Sequence, residues 1–337
     1  MQGEPRILHI ISGRGCARSA AYASVVISGL ATAGITQALV VDDLPTPAPA
    51  GIRIFSLSRV FAKSFLHFAI RRFSPNLIQC WTRRAALLTP SSRKIPVVGW
   101  LSGPEDPAYY RSCSHLVAAT EAIADYCGRR GTERKRLRVI PFFCADAAAR
   151  PADRAAMATP QTAPVLASFL RLHPDKGADV LMQAMMELDD AYLWLGGEGP
   201  LRRLLDSEAS LLGVAARIRF AEPAMDQTAL LRAANLAVLP AARETSDAAI
   251  AEAWAAGVPV VACKNAVSSS LIEDGVDGLL VPPGDAAALA AAIRRVLGDE
   301  GLRRRLIAEG YAAYVKSFAR EAVVRRWTGF YNELLAV

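Results

Sequence analysis

The sequence predicts an α/β protein of two Rossmann-like, doubly wound domains that face a central cleft. Three observations predict it. Short apolar strands alternate with helical segments along the chain, the pattern of parallel sheets with crossover helices. The 337 residues exceed one ordinary core and suit two domains of about 150 residues each. The alternation also stops and restarts around residues 147–164, "AAARPADRAAMATPQTAP", where Pro, Ala and polar residues without an apolar period read as a linker. Two such domains in series bind ligands at the carboxyl ends of their strands, which makes the cleft the expected site.

The first strand, "ILHIIS", runs into the glycine turn "GRGCAR" and then a helix. No signal peptide is expected, because this apolar run is short and ends at the turn. Residues 19–41 are uncharged and long enough to suggest a membrane span. Their Ser, Thr and Gln, with Gly34 placed as a helix C′ residue before "ITQALVV", predict a helix followed by a strand instead. Further strands follow at "QALVVD", "IRIFSL", "LIQCW", "PVVGWL", "HLVAAT" and "LRVIPF". Residues 58–75, "SRVFAKSFLHFAIRRFSP", predict an amphipathic helix with Arg59, Lys63 and His67 on one face and Phe61, Phe65 and Phe68 opposite. The expectation is a surface helix burying its Phe stripe in the domain core; the alternative is a basic helix lying in a membrane interface.

After the linker the strands are "VLASFL", "AYLWLG", "RIRFAE", "LAVLP", "PVVAC" and "GLLVPP", with helices at about residues 177–188, 200–212, 226–233 and 247–256. From Asp285 onward the chain reads as wholly helical, broken at "GDEG" and near Ser317. The expected limits are a first Rossmann-like domain at 1–155, a second at 156–315, and a C-terminal helix at 316–337 packing back on the N-terminal domain.

With 52% apolar and 21% charged residues the chain is globular. Its six cysteines lie apart without a C-x-x-C pair, which predicts reduced thiols in a cytoplasmic protein and neither a zinc site nor a disulfide framework. The four histidines match no metal spacing. Charge is uneven: residues 1–160 carry 21 Lys+Arg against 10 Asp+Glu, a net of +11, and residues 161–337 carry 18 against 22, a net of −4. A basic front half predicts an anionic partner, such as a membrane surface or a phosphorylated glycolipid. No nucleic acid is expected.

Two constellations carry chemistry. Gly13 and Gly15 have the G-x-G spacing of a dinucleotide turn, and "VVDD" supplies Asp42 and Asp43. The third glycine position holds Arg18 instead, whose side chain opposes close helix–strand packing. The second constellation is residues 239–262, "LPAARETSDAAIAEAWAAGVPVVA", with Glu244 and Glu252 in an E-x7-E spacing. A strand ends, a loop carries Glu244 across its mouth, and a helix starts near Asp247 with Glu252 inside it. Strand, loop and helix N-terminus form an anion site, and carboxylates on either side suit hydroxyls flanking a diphosphate, the layout of a nucleotide sugar. Arg171 and Lys176, in the loop after the first strand of the second domain, are placed to clamp both phosphates.

In order, R-L-x-x-x-K-G at 171–177, G-x-G-P at 197–200, the E-x7-E run at 240–262 and D-G-x-x-G-L-L-V-x-P-x-D at 274–285 resemble the nucleotide-binding half of retaining GT-B glycosyltransferases of family four, the glycosyl transferases group 1 class. The resemblance implies a hexosyltransferase moving a sugar from a UDP- or GDP-sugar to a glycolipid, lipopolysaccharide-core or polysaccharide acceptor. It implies that Arg171 and Lys176 contact the donor diphosphate, Glu244 the transferred sugar and Glu252 the ribose, with the N–H groups of Ala248 and Ala249 facing the phosphates. The base would lie near residues 220–223, where Glu222 stands, and the turn at Gly13 and Gly15 would close over the donor phosphate and line the acceptor path. Arg18, Ser102 and Glu105 are acceptor or acid/base candidates. The chain departs from the family pattern in Thr245, Ser246 and Asp247, which replace Gly-Phe-Gly, and in Ser102, which stands where a histidine is usual. No D-x-D occurs, so neither a metal nor another cofactor is expected. The two rival readings are a catalytically inactive GT-B partner subunit and an NAD-dependent oxidoreductase using Gly13, Gly15 and Asp42.

Overall fold

The computed structural model describes residues 5–13, 17–42, 51–57, 61–92, 94–144, 149–243 and 246–336, the side chains of residues 17 and 18 excepted. It divides into two compact units, Met1–Phe143 with Arg320–Val337, and Cys144–Ala319.

The first unit runs β1 (Arg6–Ile11), α1 (Ala17–Thr32), β2 (Thr36–Val41), β3 (Arg53–Ser56), α2 (Ala62–Phe73), β4 (Leu77–Cys80), α3 (Arg83–Leu88), β5 (Val97–Leu101), β6 (His115–Ala118), α4 (Glu121–Arg129) and β7 (Leu137–Val139). All its strand pairs are parallel, in the order β3-β2-β1-β4-β5-β6-β7. The order reverses between β1 and β4, so their carboxyl ends open on a switch-point crevice. The strands read as continuous apolar runs because both faces of a parallel sheet are covered; β4 and β5 are buried at every position.

The second unit begins earlier than the linker reading expected. Residues 149–164 pack into it. Arg154 donates to the carbonyls of Ala233, Gln161 and Ala163 and to Asn235 Oδ1, and Met157 is buried in a cluster with Trp194 and Leu230. One guanidinium and one apolar side chain anchor a segment whose remaining composition is that of a loop. The unit continues through β8 (Val165–Phe169), α5 (Ala178–Ala184), β9 (Tyr192–Gly196), α6 (Arg202–Leu211), β10 (Ile218–Ala221), α7 (Gln227–Ala233), β11 (Leu236–Leu239), α8 (Asp247–Ala255), β12 (Val260–Cys263), α9 (Ala266–Leu271), β13 (Leu279–Val281), α10 (Ala286–Gly298) and α11 (Glu300–Ser317). The parallel order β10-β9-β8-β11-β12-β13 reverses between β8 and β11, and a second switch point lies there.

The last helix, α12 (Arg320–Leu335), belongs to the first unit. Trp327 donates its indole N–H to Tyr22 Oη at 3.0 Å, and Tyr22 donates to the Pro141 carbonyl. Tyr331 donates to Gln79 Oε1 at 3.0 Å. Gly29 of α1 leaves room for Val324, which a Cβ there would strike. Beside this cluster His9 is fully buried, its Nε2 at 2.8 Å from Gln37 Oε1 and its Nδ1 accepting from the Trp81 indole. Burial lowers its pKa to about 3, against which the Gln37 bond acts only in part.

Helix α2 corrects the expectation for the Phe stripe. Its buried face is Ala62, Leu66, Ala69 and Phe73, whereas Phe61 is 68% and Phe68 55% exposed. Positions 62, 66, 69 and 73 follow the helical period; Phe61 and Phe68, each one residue before a buried position, are turned about 100° away from that face, and of the expected stripe Phe65 alone packs, half-buried, against the core.

Candidate functional site

Three close backbone approaches shape the second unit's switch point. Gly177, φ +73°, ends the turn 174–177 against the Pro240 carbonyl at the end of β11. Gly197 and Gly199, φ +124° and +156°, lie against the carbonyls of Leu170 and Leu172. At each of the three a side chain would collide with backbone, so only glycine fits. The loops after β8 and β9 are thereby held together, with Leu172 N donating to Glu198 O at 2.9 Å and Leu201 N to Leu172 O at 3.2 Å.

This clasp presents Arg171 and Lys176 at the carboxyl end of β8. Arg171 is exposed and, among the described residues, forms no ion pair. Lys176 is mostly buried, its side chain 20% exposed, with Nζ 3.6 Å from Asp175 Oδ2. The other Asp175 oxygen takes a 2.6 Å bond from His173, and that bond, with Lys176 adding to it, holds the Asp175 pKa below the usual carboxylate range.

Helix α8 rises from the end of the neighbouring β11. Glu244 and Gly15 lie outside the described residues, as does the side chain of Arg18. Glu252 lies on α8; protein packed around its carboxyl, and then the charge of Asp247, raise its pKa although solvent still reaches the side chain. The first-turn N–H groups are engaged: Ala248 N donates to Asp247 Oδ1 at 2.9 Å and Ala249 N to Ser246 O at 3.1 Å. Asp247 thus occupies an amide assigned above to a phosphate. Asn265 steadies the loop that follows β11, its Nδ2 donating to Ala241 O at 2.9 Å.

At the carboxyl ends of β9 and β10 lies a cavity of about 410 Å³, walled by the turn 197–199, Arg202, Phe220 and Glu222. The Arg202 guanidinium lies 3.3 Å from the Phe220 ring centroid and pairs with Asp206 at 2.9 Å, a flat cationic wall of the kind on which a planar ring stacks. Sequence reasoning placed Phe220 and Glu222 here and missed Arg202. Its signal is a basic residue in the first helical turn after G-x-G-P.

In the first unit, Asp42 accepts from Ser12 Oγ at 2.8 Å and from Gly13 N at 3.0 Å, and lies 4.0 Å from Arg84 Nε. Its carboxylate is spent on holding the turn, contrary to its use as the ribose ligand of a dehydrogenase. Ser102 follows β5 and is half-buried. Glu105 accepts from Tyr110 Oη at 3.0 Å, while Asp106 caps the turn 107–110 and pairs with Arg130 at 3.8 Å. Among the described residues no three His, Cys, Asp or Glu side chains gather to hold a metal ion, and no helix is long and apolar enough to cross a membrane.

Residues 163–299 match the model of the family described as glycosyl transferases group 1. The chain is 34% identical over 285 residues to LpsE of Rhizobium meliloti, a lipopolysaccharide core biosynthesis glycosyltransferase, covering 84% of this chain and 82% of that one. It is 32% identical over 285 residues to LpsD of the same organism, also a lipopolysaccharide core biosynthesis glycosyltransferase, covering 84% and 83%. Anabaena HepE, solved in complex with UDP, has a like fold with a TM-score of 0.74, at 17% identity and with 97% of this chain and 100% of that chain covered.

Proposed function

Because this chain belongs to the glycosyl transferases group 1 family and has its GT-B fold, we propose that it is a retaining, metal-independent hexosyltransferase. It takes a sugar from UDP or GDP and passes it to an anionic glycolipid or oligosaccharide acceptor of the lipopolysaccharide-core or exopolysaccharide kind. Relatives of that description support the acceptor class, and the UDP complexes of HepE support the donor class. The basic first unit, drawn from the half of the sequence with net charge +11, meets the acceptor at or near a cytoplasmic membrane surface.

The observation that carries the donor site is the three-glycine clasp, which sets Arg171 and Lys176 over the β8/β11 switch point. In this reading the two cations neutralise the leaving diphosphate, Glu252 binds the ribose hydroxyls and Glu244 the transferred sugar. The base enters the cavity beside Arg202, Phe220 and Glu222. The phosphates displace Asp247 from the Ala248 amide and take the α8 N-terminus. A departing phosphate oxygen accepts the acceptor's proton on the same face of the sugar, and the developing charge is met by Arg171 and Lys176. In the same reading Gly13 and Gly15 serve the donor phosphate, and Arg18, Ser102 and Glu105 serve the acceptor or act as acid/base groups.

Calorimetry of UDP, GDP and NAD without added metal tests the reading. UDP or GDP binds at micromolar strength, and Glu252→Ala weakens it by about 1–3 kcal/mol through loss of a charge-assisted hydrogen bond. Binding of NAD alone, or UDP affinity untouched by Glu252→Ala, overturns it. Turnover of the bound donor separates an enzyme from an inactive partner subunit.

A further inference from the structure

We propose that the cavity at the carboxyl ends of β9 and β10 selects guanine over uracil, with Glu222 reading the base, so that the sugar donor is a GDP-sugar. This rests on the donor reading above and narrows it to one base. Four polar side chains wall the cavity: Glu198, Arg202, Asp206 and Glu222. Two of them are spent on each other, because the Arg202 guanidinium pairs with Asp206 at 2.9 Å while lying over the Phe220 ring. They leave a stacking wall without a spare charge. Glu198 and Glu222 form no ion pair and no side-chain hydrogen bond among the described residues.

Of these two carboxylates, Glu222 is the one aligned with the stacking wall. It continues the line of β10 directly after Ala221, and side chains two residues apart on an extended chain share a side. Phe220 and Glu222 accordingly both line the cavity. Pro223 disfavours helical backbone at residue 222, and the Glu222 carbonyl accepts from Met225 N at 3.0 Å, which closes the turn behind it. A ring stacked beside Arg202 and Phe220 therefore presents its edge to the Glu222 carboxylate.

The edge decides the base. An ionised carboxylate accepts hydrogen bonds and donates none. Guanine offers N1–H and an N2 amino hydrogen side by side, two parallel donors that one carboxylate takes together in the bidentate manner. Uracil offers a single N–H between two carbonyls, whose oxygens would face the Glu222 oxygens. Adenine sets its amino group beside an acceptor nitrogen and can make one bond only. The bicyclic ring also covers more of the Arg202–Phe220 wall than a pyrimidine does, and a cavity of about 410 Å³ admits it.

Calorimetry of GDP, IDP, ADP and UDP with the full chain, its Glu222→Ala variant and its Glu198→Ala variant tests the assignment. GDP binds more tightly than UDP or ADP by about tenfold or more, as expected when a hydrogen bond to a charged group is made to one base and denied to another. IDP lacks only the 2-amino group of GDP and falls below it by about tenfold on the same ground. In Glu222→Ala, GDP drops to the level of IDP while UDP keeps its affinity, since UDP retains its ribose and diphosphate contacts. That unchanged UDP affinity also shows the variant to be folded.

UDP or ADP bound as tightly as GDP overturns the proposal. So does a preference for GDP that survives Glu222→Ala, or one that Glu198→Ala abolishes and Glu222→Ala does not. If UDP and GDP bind equally and Glu252→Ala weakens both, the selection falls and the donor site stands. If neither nucleotide binds, the donor site falls with it.

Discussion

Asp247 places a carboxylate at the mouth of α8, where the proposed donor brings its phosphates, and holds the Ala248 amide for itself. Asp247→Asn removes a like charge, so UDP binds more tightly by on the order of 1 kcal/mol. Glu252 titrates lower in the variant, because Asp247 is one of the two causes of its raised pKa. Calorimetry and a pH series of UDP affinity read both. His9 gives a prediction of another kind. Its pKa is about 3 in the folded protein against an ordinary 6.5, so between those values the unfolded chain binds the proton and the folded chain does not. The His9 contribution is fully present above pH 6.5 and is lost as pH falls, with a slope of about 1.4 kcal/mol per pH unit. Urea titrations at pH 7.5, 6 and 5 show that slope in the wild type and its absence in His9→Gln. At this scale glycines were legible because a positive φ or a backbone contact leaves one choice, as at Gly177 and Gly199. The Arg202–Phe220 stack was not legible, because a contact between residues so distant in sequence leaves no periodic trace.

The turn after β9 is the element on which the proposed donor site depends. At Gly199, φ +156° and a Cβ pressed on the Leu172 carbonyl make any side chain strained. Gly199→Ala accordingly lowers thermal stability by roughly 1–3 kcal/mol and weakens UDP binding, since Arg171 precedes the displaced Leu172. A thermal melt with and without UDP measures both effects. The strands were legible as elements because buried parallel strands are plain apolar runs between turn residues. Helix α2 was read correctly as a helix but its inner face was misassigned. Large aromatic residues suggested the core, while the period through Ala62, Leu66, Ala69 and Phe73 marked it. Residues 149–164 were misread for a similar reason: Arg154, nominally a solvated charge, satisfies several main-chain carbonyls at once.

At the scale of the molecule, the two units bear opposite charge tendencies. A nucleotide seated at the β8/β11 switch point stabilises the unit that holds it. At UDP a hundredfold above its Kd, amides that exchange by global opening of Cys144–Ala319 gain about 2.7 kcal/mol of protection. Those of the first unit change little, and hydrogen exchange with mass spectrometry resolves the two. The return of α12 to the first unit has a consequence in time. The chain leaves that unit after Phe143 and re-enters it at Arg320, and Trp327 and Tyr331 are fully buried members of its core. On the ribosome, therefore, the unit whose residues emerge first is completed last. The second unit has its entire sequence in hand while the first still waits with Tyr22, Trp81 and Trp100 uncovered, and the birth order of the sequence is the reverse of the order in which the two cores can close.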